Sequence, residues 1–175
     1  MLRNLQDEII RHKRQKDFVI LAHSYRSPDI LEIADHTGDS YKLSVIAEDL
    51  KEKNVILCGV RFMAETVKLL SPEKRVILPV PQATCPMAEQ IAPSRVAQFK
   101  RENPQVKVVC YVNTPTALKA ECDVCVTSSS ALKIVNAMPE KDILFIPDKN
   151  LGSYVQKMCP DKNTTHWDGF CAVHN

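Results

Sequence analysis

Two of the seven cysteines in this 175-residue chain stand where a thiolate could act as a metal ligand. Cys85 lies in the segment TCPM and Cys171 in the segment GFCAVH, and both segments follow a predicted strand. A metal-binding thiolate must point into a cleft, and a loop position beside small or flexible residues allows this. The pattern therefore indicates Cys85 and Cys171 as candidate ligands.

The remaining cysteines suggest packing, with one alternative left open. Cys122 and Cys125 form a Cys-x-x-Cys motif, which is typical of redox pairs and zinc half-sites. Cys122 ends a predicted helix and Cys125 lies in a predicted strand, so we expect the two sulfurs not to converge. Together with Cys171 and His174 they still make a conceivable tetrahedral zinc set. Cys159 precedes a proline at a helix end and is predicted to face solvent. Three cysteines lie in apolar blocks and are predicted to be buried as small hydrophobes: Cys58, Cys110 and Cys125.

Polar side chains collect directly after the predicted strands. Ligands of open parallel sheets bind beyond the carboxyl ends of the strands, so these residues are candidates for a shared site. Imidazole, hydroxyl and amide groups can hold carboxylates or phosphate, and His or Tyr can also move protons. The alternative is that some of the serines only cap helices. The polar residues are His23, Ser24, Tyr25, Ser40, Tyr111, Asn113, Ser128 and Asp148.

Short apolar blocks and helical patterns alternate along the whole chain. Continuous apolar blocks of this length are typical of strands buried on both faces of a parallel sheet. Between them, residues such as Leu43 and Ala47, or Met63 and Val67, share one helical face. The alternation predicts α/β architecture. The predicted strands are residues 18–22, 55–58, 76–80, 106–111, 124–127 and 143–146.

Composition excludes several classes of protein. Hydrophobic residues make up 45% and charged residues 25%, which are values of a globular chain rather than a disordered one. Lys and Arg number 23 against 21 Asp and Glu, so no strong positive field indicates nucleic acid or an anionic membrane as partner. No apolar run approaches the roughly 20 residues of a membrane span, and the charged N-terminus lacks a signal-peptide core. We expect a cytoplasmic protein with reduced thiols.

A repeated motif predicts repeated units. A helix followed by proline, an acid, lysine and a strand occurs at residues 71–74, 138–141 and 159–162. We therefore expect small three-layer α/β units, each with a parallel sheet. The predicted boundaries are 1–103 for a first unit, 104–162 for a second, and 163–175 for the start of a truncated third. The strand at 163–167 has no following helix, and we expect the segment 163–175 to be poorly anchored, since its strand lacks the neighbours that would bury Trp167 and Phe170.

Eight segments, in order along the chain, resemble quinolinate synthase, the iron–sulfur enzyme of bacterial and plant NAD biosynthesis. They are VILAHSY (19–25), ADHTGDS (34–40), CGVRFMAET (58–66), CPMAE (85–89), YVNT (111–114), KAECDVCVTSS (119–129), ILFIPDKNLG (143–152) and WDGFCAVH (167–174). The resemblance implies three related α/β units about a pseudo-threefold axis, with the active site where their strand ends meet. It also implies that iminoaspartate and dihydroxyacetone phosphate condense to quinolinate, with loss of phosphate and two waters.

The same resemblance implies a set of site residues. A [4Fe–4S] cluster would be held by three cysteines, one per unit, with one iron left open. Residue by residue, the matching metal ligands are Cys85 and Cys171. The matching substrate-binding residues are His23, Ser40, Tyr111, Val112, Asn113 and Ser128. The matching catalytic residues are Tyr25, His23 and His174.

The sequence departs from the family pattern in three respects. Ser130 stands where asparagine is common, and Asn175 where glutamate is common. The family also continues beyond the matched segments and there supplies the third cysteine. We therefore expect the chain alone to hold no stable cluster and to be inactive, unless a separate chain supplies the missing unit. The alternative function is a non-catalytic zinc- or ligand-binding α/β module.

Overall fold

The computed structural model describes residues 1–173. The chain forms two compact units, Met1–Thr84 and Cys85–Asn175. Each unit holds one four-stranded sheet in which all neighbouring strands are parallel. This confirms the predicted α/β class with repeated small parallel-sheet units.

The first unit alternates helices and strands without interruption. Its elements are α1 (Leu2–Gln15), β1 (Phe18–His23), α2 (Pro28–Ile33), β2 (His36–Gly38), α3 (Ser40–Asp49), β3 (Asn54–Cys58), α4 (Arg61–Leu70) and β4 (Arg75–Ile77). The strand order is β2-β1-β3-β4, so β1 lies inside the sheet and β2 and β4 form its edges. Helices α3 and α4 pack together and bury Leu43, Ala47, Met63 and Val67.

The second unit repeats this element order. Its elements are α5 (Pro93–Glu102), β5 (Lys107–Tyr111), α6 (Thr116–Lys119), β6 (Val124–Val126), α7 (Ala131–Ala137), β7 (Asp142–Ile146), α8 (Lys149–Met158) and β8 (Asn163–His166). The strand order β6-β5-β7-β8 corresponds place by place to that of the first sheet. The two sheets therefore share one topology.

Successive residues of the central strands β5 and β7 face opposite layers of helices. Val109 and Phe145 lie in a buried cluster with Val155 of α8. Their neighbours Val108 and Leu144 lie in a second buried cluster, with Val96 of α5. Because side chains alternate along a strand, a continuous apolar block fills both layers, which is why these strands read as uninterrupted apolar runs.

The boundary between the units differs from the predicted one after residue 103. Helix α5 precedes that position but packs on the second sheet, where Ile91 and Val96 are buried against Val108. The division accordingly falls after Thr84. A sequence pattern identifies an amphipathic helix but not the sheet that it covers, and here the apolar contacts assign α5 to the unit that follows it.

The segment predicted to begin a third unit is instead the last strand of the second sheet. Strand β8 pairs in parallel with β7 from Asn163 to His166, and Thr164 is only 2% exposed. Trp167 packs against the cluster that contains Val96. The residues 163–167 are thus held by ladder hydrogen bonds and by apolar contact, which replaces the expectation of a poorly anchored strand.

All predicted strands have counterparts in the structure, but β2 was not predicted. Its three residues, His-Thr-Gly, contain no apolar block, because β2 is a short edge strand that pairs only with β1. Helix α2 has Ser27 at its N-cap and Pro28 as its first helical residue. No helix among residues 1–173 is long and apolar enough to cross a bilayer.

Candidate functional site

The turn that follows β1 has the same backbone hydrogen bonds as the turn that follows β5. In the first unit, the Arg26 N–H donates to the His23 carbonyl at 2.9 Å. In the second unit, the Thr114 N–H donates to the Tyr111 carbonyl at 3.0 Å. His23 and Tyr111 therefore hold equivalent positions at the carboxyl ends of equivalent strands, where the polar residues were expected.

His23 is positioned by its own turn. The backbone N–H of Tyr25 donates to Nδ1 of His23 at 3.2 Å, and the two rings meet edge to face with centroids 4.6 Å apart. Burial, and secondarily the charge of Arg26, lowers the pKa of His23 below its ordinary value. Since Nδ1 accepts a hydrogen bond, the neutral ring carries its proton on Nε2, which can donate to an oxygen. Tyr25 itself is 73% exposed, so its hydroxyl is accessible.

Ser40 and Ser128 each follow a residue that caps the next turn. Asp39 accepts from the Lys42 N–H at 2.8 Å through its carboxylate and begins α3. Thr127 accepts from the Ser130 N–H at 3.2 Å through its hydroxyl, ahead of α7. The N-cap of α3 is Asp39 and that of α7 is Ser130, so neither Ser40 nor Ser128 is an N-cap.

The residues after β5 form a compact polar corner. The Val112 N–H donates to the Val126 carbonyl at 2.8 Å, which ties the end of β5 to the end of β6. Asn113 is only 3% exposed, and its Nδ2 donates to Cys85 Sγ at 3.7 Å. Within residues 1–173, Oδ1 of Asn113 accepts no hydrogen bond. A buried, half-satisfied amide beside a thiol is suited to orient that thiol or a ligand.

The two predicted metal-ligating cysteines lie in equivalent loops. The Arg61 N–H at the start of α4 donates to the Ala83 carbonyl at 2.8 Å, two residues before Cys85. The Lys149 N–H at the start of α8 donates to the Gly169 carbonyl at 2.7 Å, two residues before Cys171. Both cysteines are partly exposed thiols. The same local fold therefore presents both sulfurs.

A glutamine that sequence reasoning missed joins the two cysteine loops within the second unit. Nε2 of Gln90 donates to the Phe170 carbonyl at 3.0 Å, and Oε1 of Gln90 accepts from the Phe170 N–H at 3.2 Å. Gln90 lies five residues after Cys85, and Phe170 directly precedes Cys171. An exposed glutamine in a loop carries no sequence signal of this role, because the partner is 80 residues away.

Two predictions about the other cysteines are wrong. Cys125 is exposed rather than buried, because β6 is an edge strand. Cys159 is fully buried rather than solvent-facing, because the end of α8 packs onto the cluster around Phe145. Of the conceivable zinc set, His174 lies outside the described residues. Within residues 1–173, no three His, Cys, Asp or Glu side chains are grouped so that they could hold a metal ion.

The structure thus brings together two pairs of predicted site residues, His23 with Tyr25 and Cys85 with Asn113. Arg26 is a further charged residue that was not predicted, and it acts electrostatically on His23. Its signal in the sequence is its place three residues after the end of β1. Whether the site residues of the first and second units face a common cleft stays a prediction.

Comparison with known proteins gives matches along nearly the whole chain. A family model described as "NadA: Quinolinate synthetase A protein" matches residues 7–175. Quinolinate synthase from Clostridium perfringens strain 13 is 53% identical over 171 residues, which are 98% of this chain and 57% of that protein. Quinolinate synthase from Clostridium acetobutylicum is 52% identical over all 175 residues, or 58% of its own length. The chain therefore spans less than two thirds of the curated relatives that it matches.

Proposed function

This chain belongs to the quinolinate synthase family, and we propose that it carries the first two substrate-binding units of such an enzyme. The proposed reaction condenses iminoaspartate with dihydroxyacetone phosphate to quinolinate, with release of phosphate and two waters, in the biosynthesis of NAD. The observation that carries the proposal is the repeated placement of polar residues at the strand ends of both units, with Cys85 and Cys171 in equivalent loops after β4 and β8. All seven cysteines are thiols, which supports a cytoplasmic location.

Five residues of the two units are proposed to bind the substrate carboxylates and phosphate. Ser40 and Ser128, just past the capping residues, would donate through hydroxyl and backbone N–H groups. Tyr111, the backbone of Val112, and Asn113 would complete the set in the second unit. The buried Oδ1 and Nδ2 atoms of Asn113 favour this role, since a ligand would satisfy the amide.

Proton transfer is proposed for the first unit. The lowered pKa of His23 keeps its imidazole neutral at neutral pH, so Nε2 can donate a hydrogen bond to a substrate oxygen without a competing positive charge. The exposed hydroxyl of Tyr25 lies beside that ring and would act in the condensation and dehydration steps. His174 is proposed to line the same cavity.

Cys85 and Cys171 are proposed to bind two irons of a [4Fe–4S] cluster. Their sulfurs fit a cluster thiolate, because both lie in equivalent, partly exposed loops and Asn113 donates a hydrogen bond to Cys85. When bound, such a cluster supplies a Lewis-acidic iron that makes a substrate hydroxyl a better leaving group. The Gln90 bridge to Phe170 would keep the two loops together. The third thiolate is proposed to come from the part of the family that the matched segment does not include.

The proposal is tested with a chimera. Residues 1–175 replace the matching segment of the Clostridium perfringens relative, and quinolinate formation is assayed anaerobically after iron and sulfide reconstitution. We expect the chimera to be active, and Ser128→Ala to lower kcat/KM about 10- to 100-fold, the loss of a hydrogen bond to a charged group. Ser129→Ala is the matched control, since that exposed hydroxyl is hydrogen-bonded to the Thr127 hydroxyl at 2.9 Å and is not a proposed site residue.

The control variant should keep the activity of the parent chimera. An inactive chimera that folds and binds iron would contradict the proposed function. Unchanged kinetics in Ser128→Ala would reject the role of Ser128 while leaving the family activity in place.

A further inference from the structure

Two cysteines outside the proposed catalytic set lie side by side in the second sheet. Cys110 of β5 and Cys125 of β6 are register partners in neighbouring parallel strands, and their sulfurs are 3.1 Å apart. Neighbouring strands lie about 4.8 Å apart, which falls within the range of about 4.4–6.8 Å that Cα atoms span across a disulfide. Only a small movement of the side chains separates the two thiols from bonding distance.

The two thiols differ in access. Cys110 is fully buried beneath α5 and α6, whereas Cys125 is exposed on the edge strand β6. A reagent from solvent can therefore reach Cys125 first, and Cys110 can reach only a partner within the protein. This combination of one entry thiol and one sheltered thiol is typical of intramolecular disulfide exchange.

The sequence motif indicates a different partner for Cys125. Cys122 completes Cys-x-x-Cys, but its Sγ donates to the Leu118 carbonyl at 3.1 Å, within the turn that follows α6. The contact described for Cys125 is the one to Cys110. Strand pairing, rather than the motif spacing, therefore decides which sulfur meets Cys125.

The first unit shows that the fold does not need thiols at this place. There the corresponding register partners at the ends of β1 and β2 are Ala22 and Thr37. The two positions match because β1 and β2 pair as β5 and β6 do. A small residue suffices for packing, so the paired thiols are a chemical feature that only the second sheet possesses among residues 1–173.

We propose that Cys110 and Cys125 form a reversible cross-strand disulfide by exchange with a low-molecular-weight disulfide such as oxidised glutathione. The Cys125 thiol loses its proton, and its thiolate attacks one sulfur of the reagent. That sulfur stays bound to Cys125 as a mixed disulfide, while the other sulfur of the reagent leaves as a thiolate and takes up a proton. Cys110 then attacks Cys125 Sγ, loses its own proton and expels the second glutathione thiol. The two protein thiols are oxidised, and one molecule of the reagent is reduced to two thiols.

The surroundings make this exchange slow at neutral pH. Hydrogen bonding to the neighbouring thiol of Cys122, together with burial, raises the pKa of Cys110 to about 12. Hydrogen bonding to Cys110, and secondarily partial desolvation of its sulfur on the side that faces Cys110, also raise the pKa of Cys125. Both side chains are therefore protonated thiols near pH 7. A stabilised thiolate would favour the reduced form of the pair, and since neither thiolate is stabilised here, the disulfide is favoured once it has formed.

The disulfide would act on the strand ends of the proposed site. Cys110 directly precedes Tyr111, and Cys125 lies three residues before Ser128. Strand β6 has only three residues and pairs only with β5, so a covalent link would hold it where ladder hydrogen bonds are few. The link does not depend on the proposed function, since it rests on the thiol geometry alone.

The test uses the 175-residue chain in its native state. The chain is incubated with oxidised glutathione at pH 8, remaining thiols are blocked with iodoacetamide, and trypsin and Asp-N digestion is followed by mass spectrometry. Trypsin separates Cys110 from the other two thiols by cutting after Lys119, and Asp-N separates Cys122 from Cys125 by cutting before Asp123. We expect the linked peptide to join residues 108–119 to 123–133.

Two variants sharpen the result. Cys125→Ser should lower the yield of cross-linked residues 108–119 at least tenfold, whereas Cys122→Ser should leave the link unchanged. Circular dichroism before oxidation confirms that each variant is folded. A link from Cys122 to either of the other thiols, or free Cys110 and Cys125 in a folded, oxidant-treated chain, would overturn the proposal.

Discussion

An equivalent aspartate joins a helix to the sheet in each of the two units, but the residues at the strand ends differ in their chemistry. In the first unit, Asp35 accepts from the Ile20 N–H at 2.8 Å and from Lys13 at 2.7 Å. In the second unit, Asp123 accepts from the Val108 N–H at 2.8 Å and from Lys100 at 3.1 Å. Each aspartate thus joins the helix before the first strand to the strand itself.

A lysine that donates to two backbone carbonyls also repeats, buried in the first unit (Lys74) and half-buried in the second (Lys162). Lys74 donates to the carbonyls of Leu50 and Glu52, and Lys162 donates to those of Met138 and Glu140. These are the lysines of the first and third copies of the proline–acid–lysine motif. The motif therefore has a structural cause, because its lysine closes the connection ahead of the neighbouring strand.

The strand ends differ where the scaffold does not constrain them. His23 and Tyr25 in the first unit correspond to Tyr111 and Asn113 in the second, and Ala22 and Thr37 correspond to Cys110 and Cys125. The difference teaches that loop and edge positions can vary in chemistry while the bonds that position them stay the same. The comparison can be tested at three places.

The largest effect on stability is expected in the loop that contains Cys171. A Cβ on Gly169 would lie 2.3 Å from the Pro147 carbonyl oxygen and 2.6 Å from Gln90 Oε1. Gly169→Ala should therefore lower the free energy of unfolding by about 2–3 kcal/mol, as overpacking does. Trp167, the single tryptophan, packs in the second unit, so urea unfolding followed by its fluorescence reports on that unit.

The first unit supplies the matched control, because Ala83 already occupies the corresponding position there. Ala83→Gly, whose unfolding is followed by circular dichroism because the single tryptophan lies in the second unit, should cost less than about 1 kcal/mol, the usual effect of added chain flexibility. Equal costs for the two substitutions would show that the two cysteine loops are not equivalent in packing.

A smaller effect is expected from the bracing carboxylates. Partial burial acts to raise the pKa of Asp123, but the hydrogen bond from Val108 and the charges of Lys100 and Lys107 outweigh it and lower the pKa. A folded-state pKa below the unfolded one contributes stability above about pH 4, and this contribution is lost as pH falls further. Asp123→Asn should thus cost about 1–2 kcal/mol at pH 7 and less at pH 3.

The counterpart Asp35→Asn tests whether the bracing is local to each unit. It should speed amide hydrogen exchange mainly in β1 and β2, whereas Asp123→Asn should speed it mainly in β5 and β6. An Asp123→Asn cost that stays the same between pH 7 and pH 3 would contradict the electrostatic explanation.

The smallest effect is expected at His23. Because burial lowers its pKa in the folded state, the unfolded chain binds more protons as pH falls through about 6.5, and stability declines there. The imidazole should titrate below its ordinary value in a nuclear magnetic resonance pH titration. His23→Gln should weaken the acid sensitivity of the first unit. Titration of His23 at or above about 6.5 would refute this account.

Several elements were predictable because their signals are local. Strands such as β1 and β7 are buried on both faces, so each is a continuous apolar block whatever its partners are. Strand β2 escaped prediction because three polar residues at a sheet edge need no apolar pattern. The unit boundary was misplaced because the amphipathic pattern of α5 does not state which sheet lies beneath it.

By itself, the sequence determined the order of strands and helices apart from the edge strand β2, the polar residues that follow the predicted strands, and the family. These follow from short-range patterns and from matched segments, which need no three-dimensional contact. Only the tertiary structure decided that Cys125 meets Cys110 rather than Cys122, that Gln90 holds Phe170, and that Cys159 is buried. The physical reason is that strand register and helix packing set distances between residues far apart in the chain, and no local pattern contains them.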